Sequence, residues 1–178
     1  AHGMEKQDGY AFGLKPGLQL LQLAKAEGIR EITYYGFTMD NCKRPGEQLA
    51  AFSRACVEAV ELLAADGAEL LVLGNRESKC FPRELLPYTE RTKVGEGGIR
   101  VNFLVNYGWQ WDLAQIQKDG KPHSREVSRI DLVIRWGGMR RLSGFLPIQT
   151  VYADFYVEEK LWPDFEAQDL ERALVWYG

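Results

Sequence analysis

The stretch Arg135-Trp-Gly-Gly-Met-Arg-Arg-Leu-Ser143 puts three guanidinium groups, two adjacent glycines and a hydroxyl within nine residues. Guanidinium forks and hydroxyls are oxyanion ligands, and glycine lets a backbone approach a phosphate closely. Arg135 ends an apolar run, and a helix expected to begin near Ser143 would add the positive end of its dipole. The chemistry suggested is phosphate or diphosphate binding; a solvated basic turn has the same composition. Tyr152-Ala-Asp-Phe-Tyr156 places Asp154 in an otherwise apolar strand. A carboxylate there is costly unless it is paired or binds a metal. Mg²⁺ shared between one carboxylate and diphosphate oxygens is one solution, and an ion pair with a neighbouring Arg is the other. A third cluster, Phe37-Thr-Met-Asp-Asn-Cys-Lys-Arg-Pro45, offers Asn41 and Arg44 to a substrate. It reads equally as a helix-capping loop, with Asp40 or Asn41 as the cap.

The elements that position these clusters follow from hydrophobic period. The chain has 178 residues, 46% hydrophobic and 26% charged, which suits one domain with a single core. Pro16 fits the first turn of a helix striped by Leu18, Leu21 and Ala24, closing at Gly28. A long helix, roughly Glu47 to Ala65, carries Leu49, Phe52, Cys56, Val60 and Leu63 at spacings of three and four. Its small residues Ala50, Ala51, Ala55, Ala59 and Ala64 either pack closely on the core or line an apolar tunnel. Strands are expected at 31–37, 69–73, 99–105, 131–135 and 152–157. Short helices are expected from Pro82, near Trp109–Gln117 and over Gly144–Val151, with a polar loop at 118–129 and a terminal helix from Pro163. Strands alternating with helices give an α/β fold with a mostly parallel sheet. Ligands of such sheets sit beyond the carboxyl ends of the strands. That rule selects Phe37–Arg44, Gly74–Lys79, Asn106–Trp109 and Arg135–Ser143.

Composition excludes other classes. A net charge of −3 gives no global attraction for nucleic acid. Cys42, Cys56 and Cys80 match neither a disulfide framework nor a zinc pattern and suit a reducing cytoplasm. Only His2 and His123 are present. The apolar runs are too short for a membrane span, and no signal peptide is read.

Set in register, these segments resemble the undecaprenyl diphosphate synthases and their cis-prenyltransferase relatives. Residues 135–156, continuing to Leu161-Trp-Pro-Asp-Phe165, are similar to a family pattern of Arg-Thr-Gly-Gly, Arg-x-Ser-Asn-Phe-Leu, Tyr-Ala-Glu-Leu-Tyr and Leu-Trp-Pro-Asp-Phe. Tyr35 to Pro45 resembles Tyr-Ala-Phe-Ser-Thr-Glu-Asn-Trp-Lys-Arg-Pro, and Asn102-Phe-Leu-Val-Asn-Tyr-Gly108 resembles Asn-Ile-Ala-x-Asn-Tyr-Gly. The resemblance implies a central mostly parallel β-sheet flanked by helices, a homodimer, and Mg²⁺-dependent condensation of isopentenyl diphosphate onto an allylic diphosphate. By position, Arg135, Arg141 and Ser143 would hold isopentenyl diphosphate, beside Gly137, Gly138 and Arg140. Asp154 would take the metal-binding place of a family Glu. Phe37, Thr38, Asn41 and Arg44 match the substrate loop. Tyr10 stands for the His of Gly-His-x-x-Gly, and Lys6 for an Arg. Among the departures, Trp136 replaces a Thr, Met139 a Glu, Arg140 a His and Cys42 a Trp. The family's Asp-Gly-Asn-Gly-Arg-Trp-Ala segment would end just before Ala1, and Gly3 falls on a family glycine. One domain over 1–178, lacking that strand-loop segment, is therefore expected. By the resemblance, the span from Trp109 to Asp131 is about two helical turns or more shorter than usual, and a chain without the family's basic C-terminal tail is expected. With Trp109, Trp111 and Trp136 adding bulk, a reduced pocket and short products are expected.

Overall fold

The computed structural model describes residues 12–178. Lys6 and Tyr10 lie outside them. Helix α1 (Leu14–Ala26) leads into strand β1 (Glu31–Tyr35), and helix α2 (Gly46–Ala65) into β2 (Ala68–Leu73). Then come β3 (Thr92–Val94), β4 (Arg100–Leu104), α3 (Trp109–Ala114), α4 (Ile116–Asp119), β5 (Leu132–Trp136), β6 (Asp154–Glu158) and α5 (Ala167–Tyr177). The central sheet is mostly parallel, as the alternation of elements implies. Its strands form two hydrogen-bonded groups: β1-β4-β2-β3 and β5-β6. β1 and β2 flank β4 in parallel, with Glu31 and Glu69 both opposite Arg100. β5 and β6 are parallel, with Leu132 opposite Asp154. The short edge strand β3 is antiparallel and was not expected; three residues are too few for a readable period.

Alternation in β2 divides the core. Leu70 and Val72 join Leu21, Ala24, Val60 and Leu63 beneath α1 and α2. Leu71 and Leu73 face the other way, onto Leu104, Tyr107, Val133, Phe145 and Leu146. Fully burying one such side chain is worth about 1.5–3 kcal/mol.

Three sequence expectations change. The helix expected over Gly144–Val151 is a run of turns. Ser143, Gly144 and Leu146 have φ of 51°, 77° and 37°, in the left-handed region that no right-handed helix accommodates. The helix expected from Pro82 is a tight 3-10 segment, Arg83–Tyr88, with Pro87 inside it. The helix near Trp109–Gln117 breaks into α3 and α4 at Gln115. Its connection to β5 is anchored by buried Asp112, which accepts from Tyr107 Oη at 2.7 Å and from the Ser124 amide at 2.8 Å. Gln149 Nε2 donates to the Ser124 hydroxyl and carbonyl, tying the same connection to the turns before β6.

Candidate active site

Two of the expected anion ligands share a cavity of about 1160 Å³, walled by α1, α2, β1 and β5. Arg135 and Arg141 line it at the carboxyl ends of the strands, with Tyr35, Gly36, Trp136 and Leu142. Arg135 is half-buried. Its Nη2 lies 3.6 Å from Met139 Sδ, a weak acceptor, and its Nε is buried without a hydrogen-bond partner among the described residues. A half-buried guanidinium with an unspent donor is set to receive an oxyanion. Tyr35 Oη donates to the Ser143 carbonyl at 3.1 Å and so holds the basic turn from below. Burial pushes the Tyr35 phenol up to about 12, against the pull of Arg135, so it is protonated at neutral pH. Arg141 is exposed.

The glycines act differently from expectation. Gly137 (φ 82°) and Gly138 (φ 69°) take conformations that suit glycine, but their amides are not free. Gly137 donates to the Lys160 carbonyl at 2.8 Å and Gly138 to the Glu158 carbonyl at 3.0 Å. Their role is to turn the chain at the end of β5, and a phosphate would meet side chains rather than these amides. With no helix after Ser143, no helix dipole assists. Arg140 extends into solvent and pairs with Glu159 at 3.8 Å.

Asp154 also departs from its expected setting. It is exposed at the amino end of β6, so the burial argument for a paired or metal-bound carboxylate does not apply. The register sets Arg135 opposite Val157, three residues and roughly 10 Å along the strands from Asp154. The fold therefore does not bring Asp154 to Arg135. Among the described residues no three His, Cys, Asp or Glu side chains converge as a metal site.

In the loop after β1, Phe37 is buried in the core at 1% exposure and packs on Phe52, whose ring lines the cavity. The Arg44 guanidinium lies 5.1 Å over the Phe52 ring. Asn41 Oδ1 accepts from the Thr38 amide at 2.9 Å and hydroxyl at 3.0 Å, fixing a 3-10 turn over Met39–Lys43. Of the two readings left open for this loop, the capping role is realised, with Thr38 rather than Asp40 or Asn41 at its start. Phe52, Ala55 and Ala59 line the cavity, so the small-residue face of α2 forms a cavity wall as well as packing on α1. Trp136 lines it too, stacked edge-on against Trp162 and Phe165. Trp109 and Trp111 do not: Trp109 is 44% exposed and Trp111 stacks on His123 at 3.9 Å. The narrowing expected from these two is absent. Tyr35 is the contributor that sequence reasoning passed over; its odd-numbered position in β1, beside Phe37, was the available signal.

Arginines at the carboxyl ends of a parallel sheet, over a largely apolar cavity, define an α/β protein suited to a ligand with an anionic head and a hydrocarbon body. A prenyltransferase family model, described as undecaprenyl diphosphate synthase, matches residues 1–178, and the chain belongs to that family of prenyl-transferring enzymes. The isoprenyl transferase of Ralstonia nicotianae is 29% identical over 198 residues, covering 98% of this chain and 77% of the relative. The ditrans,polycis-undecaprenyl-diphosphate synthase of Escherichia coli K12, (2E,6E)-farnesyl-diphosphate specific, is 30% identical over 192 residues, covering 93% and 76%. Among solved structures, lavandulyl diphosphate synthase from Lavandula x intermedia, in complex with dimethylallyl diphosphate, shares the fold with a TM-score of 0.79 and 21% identity. That likeness covers 98% of this chain and 87% of the other. A probable undecaprenyl diphosphate synthase from Campylobacter jejuni gives 0.71 at 20% identity, covering 98% and 90%.

Proposed function

We propose that the protein condenses isopentenyl diphosphate with an allylic diphosphate to give a short cis-prenyl diphosphate, as a cytoplasmic homodimer using Mg²⁺. The supporting observation is Arg135, half-buried at the cavity with an unspent Nε donor and with Arg141 on the same lining. Arg135, Arg141 and Ser143 would hold the isopentenyl diphosphate head. Phe37 and Thr38 would shape the allylic side, with Arg44 over Phe52 and Asn41 keeping the loop in place. Lys6 and Tyr10 are proposed for the allylic diphosphate on the resemblance alone. Ionising an allylic diphosphate requires positive charge at the leaving group and apolar walls around the cation, and Trp136 with the α2 face supplies such walls. The described residues fit Mg²⁺ only in part, with Asp154 as one carboxylate away from Arg135. Bound Mg²⁺ would neutralise diphosphate charge.

Incubation with Mg²⁺, radiolabelled isopentenyl diphosphate and a short allylic primer tests this directly. Label in an extended product is expected, and its absence overturns the reading. Arg141→Ala should lower turnover about 10- to 150-fold, the effect of losing about 1.5–3 kcal/mol from a charge-assisted contact. Asp154→Ala should abolish turnover without unfolding. Retained activity in both would remove the site assignment. Met139 against Arg135 and Trp136 beside it favour a second reading, irregular coupling or cyclisation of allylic diphosphates. In that case the primer would release diphosphate while no isopentenyl label entered product. A protein that does neither would be a non-catalytic subunit of a prenyltransferase complex.

A further inference from the structure

Loops leave the carboxyl ends of β1, β2 and β4, and Asn106 holds the three together. Asn106 is fully buried, with φ of 53°. Its Nδ2 donates to the Asn75 carbonyl at 2.9 Å, and the Asn75 amide donates back to the Asn106 carbonyl at 3.1 Å. Its Oδ1 accepts from Cys42 Sγ at 3.1 Å. Beyond Asn75, the Ser78 amide donates to the Asn75 carbonyl, and the Cys80 amide to Ser78 Oγ at 3.2 Å. The turn after β1 is fastened at the same place. The Met39 amide donates to the Tyr107 carbonyl at 2.8 Å, and the Tyr107 amide to the Phe37 carbonyl at 3.1 Å. The loops of Cys42 and Cys80 are thus drawn onto one buried amide side chain.

The two sulfurs meet there, although their spacing in sequence gives no sign of it. Cys80 is 9% exposed and belongs to the core beneath α1 and α2, and half-buried Cys42 packs against that core. The two thiols share a hydrogen bond. Burial and that hydrogen bond push the Cys42 thiol up to about 12, with the Lys79 charge pulling the other way. Cys56 lies in the same core at 4% exposure, but burial alone acts on its thiol. Among the described residues no third His, Cys, Asp or Glu joins the pair, so it lacks the donor set of a zinc site.

We propose that Cys42 and Cys80 are a redox-active pair, which a low-molecular-weight disulfide oxidises to an intramolecular bond tying the turn at Met39–Lys43 to the loop after β2. Proximity rather than acidity carries the reaction. Cys42, the more open of the two, attacks one sulfur of the small disulfide as its thiolate. A mixed disulfide forms and one small thiol leaves. The Cys80 thiolate then attacks the Cys42 sulfur, the protein bond closes and the second small thiol leaves. Two electrons pass from the pair to the small disulfide, and the two protons of the protein thiols end on the two thiols released. The scarcity of thiolate at Cys42 makes the first step slow, and contact with Cys80 makes the second fast. A reducing compartment holds such a pair open, and an oxidising shift closes it. In the closed form Asn106 loses its donor from Cys42, and a covalent bond holds the turn in place of that hydrogen bond. That the turn presents Asn41 and Arg44 to a substrate rests on the proposed function; the pair itself does not.

Peptide mapping of the folded protein after incubation with excess glutathione disulfide tests the pair without any need for turnover. The incubation runs at about pH 9 for about a day, which offsets the scarcity of thiolate. Remaining thiols are then alkylated in denaturant before digestion. A peptide linking Cys42 to Cys80 is expected, at least about tenfold more abundant than any bond to Cys56, and dithiothreitol should reverse it. Cys80→Ser should stop the reaction at a glutathione adduct on Cys42. Two unlinked cysteines in the wild type, alkylated or each carrying its own glutathione, would overturn the proposal. A bond to Cys56 or between chains would do the same. If Cys80→Ser does not fold, the wild-type map decides alone. A linked peptide in a protein without turnover in either redox state would fail the proposed function and leave the pair in place.

Discussion

Asp112 shows how much one buried carboxylate can organise. It is 1% exposed and partners the Tyr107 hydroxyl and the Ser124 amide. Asp112→Ala would leave both donors buried and unmatched, each worth about 1–3 kcal/mol. A loss of about 2–4 kcal/mol in urea unfolding is expected, and a smaller loss for Asp112→Asn, which keeps an acceptor. Nothing in the run Trp109-Gln-Trp-Asp112 distinguishes this Asp from a surface acid, so its role was not legible. The place of Arg135 at the cavity was legible, because it closes an apolar strand and ligands of parallel sheets sit at that end. Asp154 misled for a related reason. Its neighbours are apolar, but it opens its strand and meets solvent. Sequence gives the company a residue keeps and not where along the strand it sits. Cys42 and Cys56 are quiet in the same local way: burial pushes both thiols up to about 12, so alkylation at pH 8 should be slow at each unless the chain is unfolded.

At the scale of elements, α1, α2 and the strands followed from hydrophobic period, while the turns after β5 did not. A leucine at φ 37° is an outlier that only surrounding structure imposes, and no local propensity announces it. Glu31 links elements that are distant in sequence, accepting from the Ser128 hydroxyl, the Asn102 amide and Arg100. Burial pushes its carboxyl up, but these donors outweigh it and hold it below the ordinary glutamate range. A depressed carboxyl contributes stability above its unfolded value, near pH 4.3, and that contribution is lost as pH falls through the folded value. Glu31→Gln should lower stability at pH 7 and flatten the decline in stability between about pH 5 and 3, measured by thermal melts across that range.

For the whole molecule, Val151, Tyr152 and Val175 are exposed by two-thirds or more, and Trp176 by half. Apolar surface of this kind suits a partner, and the proposed homodimer predicts twice the chain mass by light scattering at micromolar concentration. A monomer there would remove it. Among the described residues no helix is long and apolar enough to cross a membrane. The mostly parallel sheet was readable as a class, since strands alternate with helices. Its division into two groups was not, because pairing depends on which edges have neighbours.

That division has a consequence for how the chain folds. β5 and β6 are joined by the turns of residues 137–153, a far closer pairing in sequence than β1 with β4, and can pair early. β1 must find β4 across 69 residues, a slow search set by loop entropy. Until the two groups pack together, each nascent group presents an open apolar edge, the surface on which chains stick to one another. Refolding yield should therefore fall steeply with protein concentration, and cooling or dilution should recover it.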